Sequence, residues 1–175
     1  MADPLGLESG VVRVVPYDKR WPVLFVEEAA RIRAACAVPL VLEHIGSTAV
    51  PGLDAKPVLD ILAGHPVDAS PLDYVVPLER AGYEHRGDAG IPEHQFFRRG
   101  QPRAYHIHLV VTGGRLWRAY VGFRDLLRSD PDVARRYAEL KLALAKQFPR
   151  DRAAYIAAKS AFVTPLACRA SALPS

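Results

Sequence analysis

Apolar positions along this chain follow two periods, and the change from one to the other predicts a sheet-forming first part and a helical last part. Val11 to Val15 is a short β-rich run closed by Pro16. From Trp21 to Cys36 the spacing becomes helical, with Phe25, Ala29, Ile32 and Cys36 on one stripe and Asp18 as the expected N-cap. Leu40 to Ile45 predicts a strand that runs into the turn-rich stretch GSTAVPGLDAKP, and Val58 to Leu62 a second, buried strand. Ser70 is placed to cap a helix carrying Leu72, Val75, Val76 and Leu78, which the Ala81-Gly82 pair ends. Three strand-like runs follow, around Tyr83, from Gln95 to Arg98 and from Tyr105 to Val111, and their alternation predicts a half-exposed antiparallel sheet. After Gly113-Gly114 the pattern is helical throughout. Leu116 to Leu127 is one segment, and Pro131 opens a second with Val133, Tyr137, Leu140, Leu144 and Phe148 as its core stripe. A last helix is expected from Arg150 to Val163. The expected class is α+β: a mixed or antiparallel sheet flanked by helices, with a helical C-terminal third.

A chain of 175 residues suits one core, expected over residues 11–163, with residues 1–10 and 164–175 as flexible termini rich in small side chains. A composition 50% hydrophobic and 24% charged excludes a disordered chain. The net charge of +4 comes from 23 scattered basic residues without a run, so nucleic acid is not an expected partner. Cys36 and Cys168 lie far apart and match no paired-ligand spacing; Cys36 reads as a core thiol. The first ten residues lack the pattern of a secretory signal, and no stretch reaches the ~20 apolar residues of a membrane span. A cytoplasmic, reduced setting without membrane contact is the expectation.

The densest chemistry lies in His44-Ile45-Gly46-Ser47-Thr48 and, past a proline-glycine turn, Lys56-Pro57-Val58-Leu59-Asp60. A strand, a Gly-Ser turn, a loop and a strand bearing Asp is the order in which a nucleotidyltransferase builds its site. Gly46 lets backbone approach a phosphate, Ser47 and Thr48 can donate to its oxygens, and Asp60 can hold Mg²⁺ beside substrate phosphates. Ser47 and Thr48 can equally cap a turn, and Asp60 can be a strand end satisfied by backbone donors. The nucleophile elbow of a serine hydrolase is absent from the sequence. His106 and His108 flank Ile107 on one strand and share a face, which suits a metal, a phosphate or proton transfer. His94 shares a face with Phe96 and is a further candidate for phosphate contact, whereas Arg98 and Arg99 read as solvated hairpin-tip residues. Arg118 follows the Gly113-Gly114 turn at a helix start, and Tyr155 and Lys159 lie four apart on one helix face.

Together these segments resemble the GrpB family. The stretch HIGSTAVPGLDAKPVLDI is similar to that family's signature. His94-Gln95-Phe96, His106-Ile107-His108 and Tyr155-Ile156-Ala157-Ala158-Lys159 follow in the family's order, and Tyr17, Trp21 and Phe25 agree. The resemblance spans Val11 to Val163 and implies a nucleotidyltransferase-like superfamily fold, a domain type also found behind dephospho-CoA kinase in some bacteria. It implies an enzyme acting on a nucleotide or other phosphate-containing small molecule. Ser47 and Thr48 would hold the phosphate and Lys56 would neutralise it. Asp60, His106 and His108 would bind a divalent metal such as Mg²⁺ or Mn²⁺, or move a proton, and Lys159, Tyr155 and Arg118 would close the cleft. One departure matters. The second carboxylate of the superfamily, two residues after Asp60, is Leu62 here, and His106 or His108 stands for the third. One Asp with two His suits a single, softer cation such as Mn²⁺ or Zn²⁺ better than a two-metal displacement. The alternative is a non-catalytic module that binds a nucleotide or a coenzyme A-related ligand.

Overall fold

The computed structural model describes residues 5–88 and 90–172. Its elements, in chain order, are α1 (Trp21–Ala35), β1 (Val41–Ile45), β2 (Leu59–His65), α2 (Val75–Arg80), β3 (Glu84–His85), β4 (Gln95–Arg99), β5 (Tyr105–Val111), α3 (Arg115–Ser129), α4 (Pro131–Gln147) and α5 (Arg152–Ser171). The strands form one five-stranded sheet in the order β1-β2-β5-β4-β3. Three of its four ladders are antiparallel, as the alternation suggests; the central β2–β5 pair is parallel, which makes the sheet mixed. Both faces of β2 are covered, so its run of Leu59, Ile61, Leu62 and Ala63 is buried throughout rather than half exposed.

The two faces have different covers. Ile61, Ala63, Ile107, Leu109 and Phe97 point toward α1 and α2, where they pack with Ala29, Ile32, Cys36 and Leu78. Ile45, Leu62 and Val110 point the other way, beneath Leu116, Trp117, Tyr120 and Val121 of α3. The odd-even alternation that separates these sets puts Asp60, His106 and His108 on the α3 side.

Two charged networks tie helices to the sheet. Glu28 of α1 is 4% exposed; it accepts from Tyr83 at 2.5 Å and pairs with Arg99 of β4 at 2.5 Å. Arg99 is therefore not a solvated tip residue; its guanidinium also lies 4.3 Å from the ring centre of Tyr105. On the other face Arg124 of α3 donates to Glu43 at 2.6 Å and to the His44 carbonyl at 3.1 Å. One turn on, Arg128 donates to the Ala49 carbonyl at 3.0 and 2.8 Å and so fixes the turn that follows β1.

Several expectations change. Val11 to Val15 is no strand: only Val15 bridges, to Ala55, while Val12 is buried against Leu144 and Tyr155 and bonds the Pro149 carbonyl. Asp18 does not cap α1; Arg20 occupies the N-cap, and the Asp18 carboxylate accepts its backbone N–H at 2.8 Å. Residues 5–10 are tied down, since Leu5 and Leu7 are buried and Leu7 bridges Arg103; residues 1–4 lie outside the described residues. At the other end α5 passes through Pro165 and runs to Ser171, beyond the boundary at 163. Packing accounts for this: a Cβ on Gly122 of α3 would stand 2.9 Å from that of Ala170. Residues 173–175 lie outside the described residues.

Replacing Glu28 would leave Arg99 without its partner in a largely buried setting. Glu28→Ala is expected to lower unfolding stability by about 2–3 kcal/mol in denaturant titration, and Glu28→Gln by less, because the amide still accepts from Tyr83.

Candidate functional site

β1 ends at Ile45, and the chain turns at Gly46 with φ 73°. A Cβ there would lie 2.8 Å from Asp60 Oδ2, so glycine is required by conformation and by contact. Ser47–Ala49 then forms a 3₁₀ turn. Ser47 Oγ accepts from Lys141 Nζ at 2.9 Å, and the same ammonium donates to the Asp54 carbonyl. The Thr48 hydroxyl is buried against His44 Nε2 at 2.9 Å, and that imidazole stacks on Phe25 at 4.8 Å. Burial pushes His44 down to about 4, so it is neutral at pH 7 and serves the turn as a packed hydrogen-bonding ring.

In the parallel ladder Asp60 lies opposite His106 and Leu62 opposite His108. Asp60 Oδ1 is 2.9 Å from His106 Nδ1 and 3.6 Å from His108 Nε2. Desolvation alone would raise the carboxyl, but the hydrogen bond from His106 holds it well below the usual carboxylate range. One acceptor–donor chain sets the tautomers. The Asp88 carbonyl can only accept, so His94 Nδ1, at 3.3 Å, carries a proton. Burial pushes His94 down to about 4, so its Nε2 is an acceptor and receives a hydrogen bond from His108 Nδ1–H at 3.0 Å. His108 Nε2 is thereby left with a lone pair facing a carboxylate oxygen at a separation too long for a hydrogen bond. His106 Nδ1–H donates to Asp60, and its Nε2 is buried without a partner among the described residues.

A lone pair on His108 Nε2 turned toward this anion is repulsive until a cation or proton joins them. Asp60, His106 and His108 each offer a ligand atom, all within 4.8 Å of one another. The backing of His108 by His94 is the kind of outer hydrogen bond that orients a metal-binding imidazole.

Around this centre stand cations. Gly46, Ser47, Lys56, Asp60, Tyr155 and Lys159 line one cleft of about 60 Å³, together with Thr48, His106, Tyr137 and Lys141. Lys56 Nζ lies 5.3 Å above the ring of Tyr155, and Lys141 Nζ 4.7 Å from that of Tyr137. Burial, then the charge of Lys159, pushes both Lys56 and Lys141 down to about 7.

The cleft thus assembles eight of the residues singled out in the sequence: Gly46, Ser47, Thr48, Lys56, Asp60, His106, Tyr155 and Lys159. His108 joins them through Asp60. His94 is buried behind His108 instead of contacting the cleft. Arg118 is elsewhere: it donates to the Gly113 carbonyl at 2.6 Å and lines a separate groove with Trp117, Val121 and Leu166. Helical phase explains this, since Tyr120 and Arg124 take the sheet-facing positions of α3. Lys141 is the cleft residue missing from the sequence reading. Its signal was a lysine one turn from Tyr137 on a core stripe, where Leu140 had been given the inward place.

The family model described as GrpB protein matches residues 11–169. The chain belongs to the GrpB family. It is 44% identical over 167 residues to a UPF0157 protein of Pseudomonas aeruginosa, covering 92% of this chain and 68% of that one. The Glutamate-rich protein GrpB of Alkalihalophilus pseudofirmus is 30% identical over 170 residues, covering 91% of this chain and 95% of that protein. A crystal structure of the conserved protein GrpB from Enterococcus faecalis superposes with a TM-score of 0.83 at 31% identity, covering 91% of this chain and 97% of that one. A dephospho-CoA kinase of Mycolicibacterium paratuberculosis is 30% identical over 175 residues, a match that spans 85% of this GrpB-family chain but 43% of the kinase.

The depressed lysines give the fold a pH signature. Lys56 faces Lys159, Arg152, Arg103 and Asp60, and Lys141 faces Lys159, Asp54 and Lys56. Between their folded value of about 7 and the ordinary lysine value of 10.5, the unfolded chain binds more protons than the folded one. Stability therefore rises with pH across that window. The ligand-free protein is expected to gain melting temperature from pH 7 to 9, and Lys141→Met to flatten that slope, as read by thermal unfolding at constant ionic strength.

Proposed function

We propose that this cleft is an active site for nucleotidyltransferase-like chemistry on a nucleotide or another phosphate-containing small molecule. The observation that carries the reading is one carboxylate, Asp60, grouped with two imidazoles that each offer a ligand atom, beside a cleft lined by three lysines. Asp60 Oδ1, His106 and His108 would hold one divalent cation. Two imidazoles favour Mn²⁺ over Mg²⁺ for that place. Such a cation supplies Lewis-acid polarisation of a phosphoryl oxygen. Ser47, Lys141 and Lys159 would take the phosphate, with Lys56 neutralising charge that develops on it. A cleft of about 60 Å³ is far below the several hundred Å³ of a typical small-molecule pocket. It therefore takes the phosphate end of a ligand whose remainder lies outside.

A second reading has its own support. Leu62, where a second carboxylate would stand, is fully buried with Ile45, Val110 and the apolar face of α3. The site then has a single carboxylate, and a module that binds phosphate without transferring it is the competing function. The likeness to part of a dephospho-CoA kinase adds coenzyme A precursors to the ligands worth testing.

A thermal-shift panel of nucleotides and coenzyme A precursors, with and without Mn²⁺ and Mg²⁺, separates the two. A ligand at a hundredfold its dissociation constant adds about 2.7 kcal/mol of stability. A shift that needs Mn²⁺ and disappears in Asp60→Asn is the expected result, whereas a shift indifferent to metal favours the binding module. No shift with any ligand rejects both. His94→Ala is expected to weaken Mn²⁺ binding by roughly 10- to 100-fold in calorimetry without abolishing it, because it frees the tautomer of His108.

A further inference from the structure

Among the described residues, every buried side-chain nitrogen or oxygen without a hydrogen-bond partner belongs to four residues: Arg103, His106, Arg152 and Tyr155. Unpaired buried polar atoms are rare in folded proteins, so their concentration in one place requires a reason. His106 and Tyr155 belong to the cleft already described. Arg103, with Nε and Nη2 unpartnered, and Arg152, with Nε unpartnered, stand beside it. Arg103 is 8% exposed. The comparably buried Arg124 has Glu43 and Asp125, and the partly buried Arg99 has Glu28, whereas no carboxylate of the described residues pairs with Arg103 or Arg152.

Both arginines are held on rigid supports. Arg103 enters β5 from a bridge in which Leu7 N–H donates to its carbonyl at 2.9 Å and its own N–H donates to Leu7 at 3.2 Å. The next residue, Ala104, accepts from Leu59 at 2.9 Å, which ties this segment to the start of β2. Arg152 opens α5, a 20-residue helix whose N-terminus is capped by Asp151. It shares one face with Tyr155 and Lys159, three and seven residues on, and both of these line the cleft. The charges form a sequence. Lys56 senses Lys159, Arg152 and Arg103, and Arg103 senses Arg152 and Asp60. Like charges gathered this closely, two of them with idle donors, are complementary to an extended anion.

We propose that Arg103 and Arg152 form a second anion subsite, so that the ligand of this cleft is an oligophosphate. One phosphate sits at Ser47, Lys141 and Lys159, a further phosphate at Arg103 and Arg152, and Lys56 lies between them. This inference rests on the phosphate reading of the cleft and adds to it the length of the anion.

Calorimetry with orthophosphate, pyrophosphate and tripolyphosphate, in chelator and without divalent metal, tests it on the whole chain. Tripolyphosphate is expected to bind at least roughly tenfold more tightly than orthophosphate, the scale of an added charge-assisted contact. Arg152→Gln should remove that gain and leave orthophosphate affinity within about twofold, since Arg152 touches the second subsite alone. Arg103→Gln should do the same, and the charge-conserving Arg103→Lys controls for damage at the buried position. Lys141→Met should weaken every member of the series. Equal affinity for the three anions, or an undiminished gain in Arg152→Gln, overturns the second subsite while leaving the phosphate reading intact. Failure of the unmodified protein to bind any of the anions overturns both.

Discussion

Because β2 and β5 run parallel in a register that places Asp60 opposite His106, one ladder both closes the hydrophobic core and assembles the chemical centre. Alternation sends Ile61 and Ile107 to the α1 face while Asp60, His106 and His108 go to the other. A slip of one residue would exchange the two sets, driving a carboxylate and two imidazoles into the apolar layer beneath α1. The apolar residues therefore hold the register, and the polar ones inherit their positions from it. Everything else in the site is fitted to this pair. Gly46 lacks the Cβ that would strike Asp60, and the Gly-Ser turn is held from outside by Arg128 on the Ala49 carbonyl and Lys141 on Ser47.

The treatment of buried charge differs from one side of the molecule to the other. Glu28 with Arg99, and Arg124 with Glu43, are paired and hydrogen-bonded, so each compensates its desolvation and links a helix to a strand. Around Asp60 the balance is deliberately lopsided: Lys56, Lys141, Lys159, Arg103 and Arg152 surround one carboxylate. An unpaired buried ion costs several kcal/mol, a large fraction of a total stability of about 5–15 kcal/mol. A chain that neutralises its structural charges elsewhere carries this excess at the cleft, which is the basis for proposing an anionic ligand there.

Much of this was legible in the sequence, because the signals were local. The helical stripe of α1, the strand before Gly46 and the start of α4 at Pro131 follow from short-range chemistry and appear as read. The site residues of the Gly-Ser turn, Lys56 and Asp60 were visible because they are close in the chain. What was hidden depends on distance. Val11 to Val15 has strand chemistry but finds only Ala55 to bridge, and the α5 helix survives Pro165 because α3 offers Gly122 to pack against. Arg118 was misplaced because a helix N-terminus does not reveal which face meets the sheet. Lys141 and Arg103 look like ordinary surface cations until the fold buries them, and Arg152 until the fold half-buries it.

Leu62 decides how far the chemistry of this centre can go. Its side chain shares a face with Asp60 but lies under Leu116 and Trp117, so a carboxylate there would be buried in an apolar cluster with no donor nearby. The fold has therefore committed that position to holding α3 on the sheet. If the proposed phosphate ligand binds here, charge that two cations would otherwise neutralise would be met by one cation and by side chains. The lysines of α4 and α5 are placed for that task, since both helices lean on the Gly-Ser turn side of Asp60. The unpartnered donors on Arg103 and Arg152 add two further cations near Lys56, which the proposed second subsite would use. On the proposed reading, a fixed group of cations would stand in place of a second metal beside one carboxylate and two imidazoles, and anion length would be the property by which the site selects its ligand.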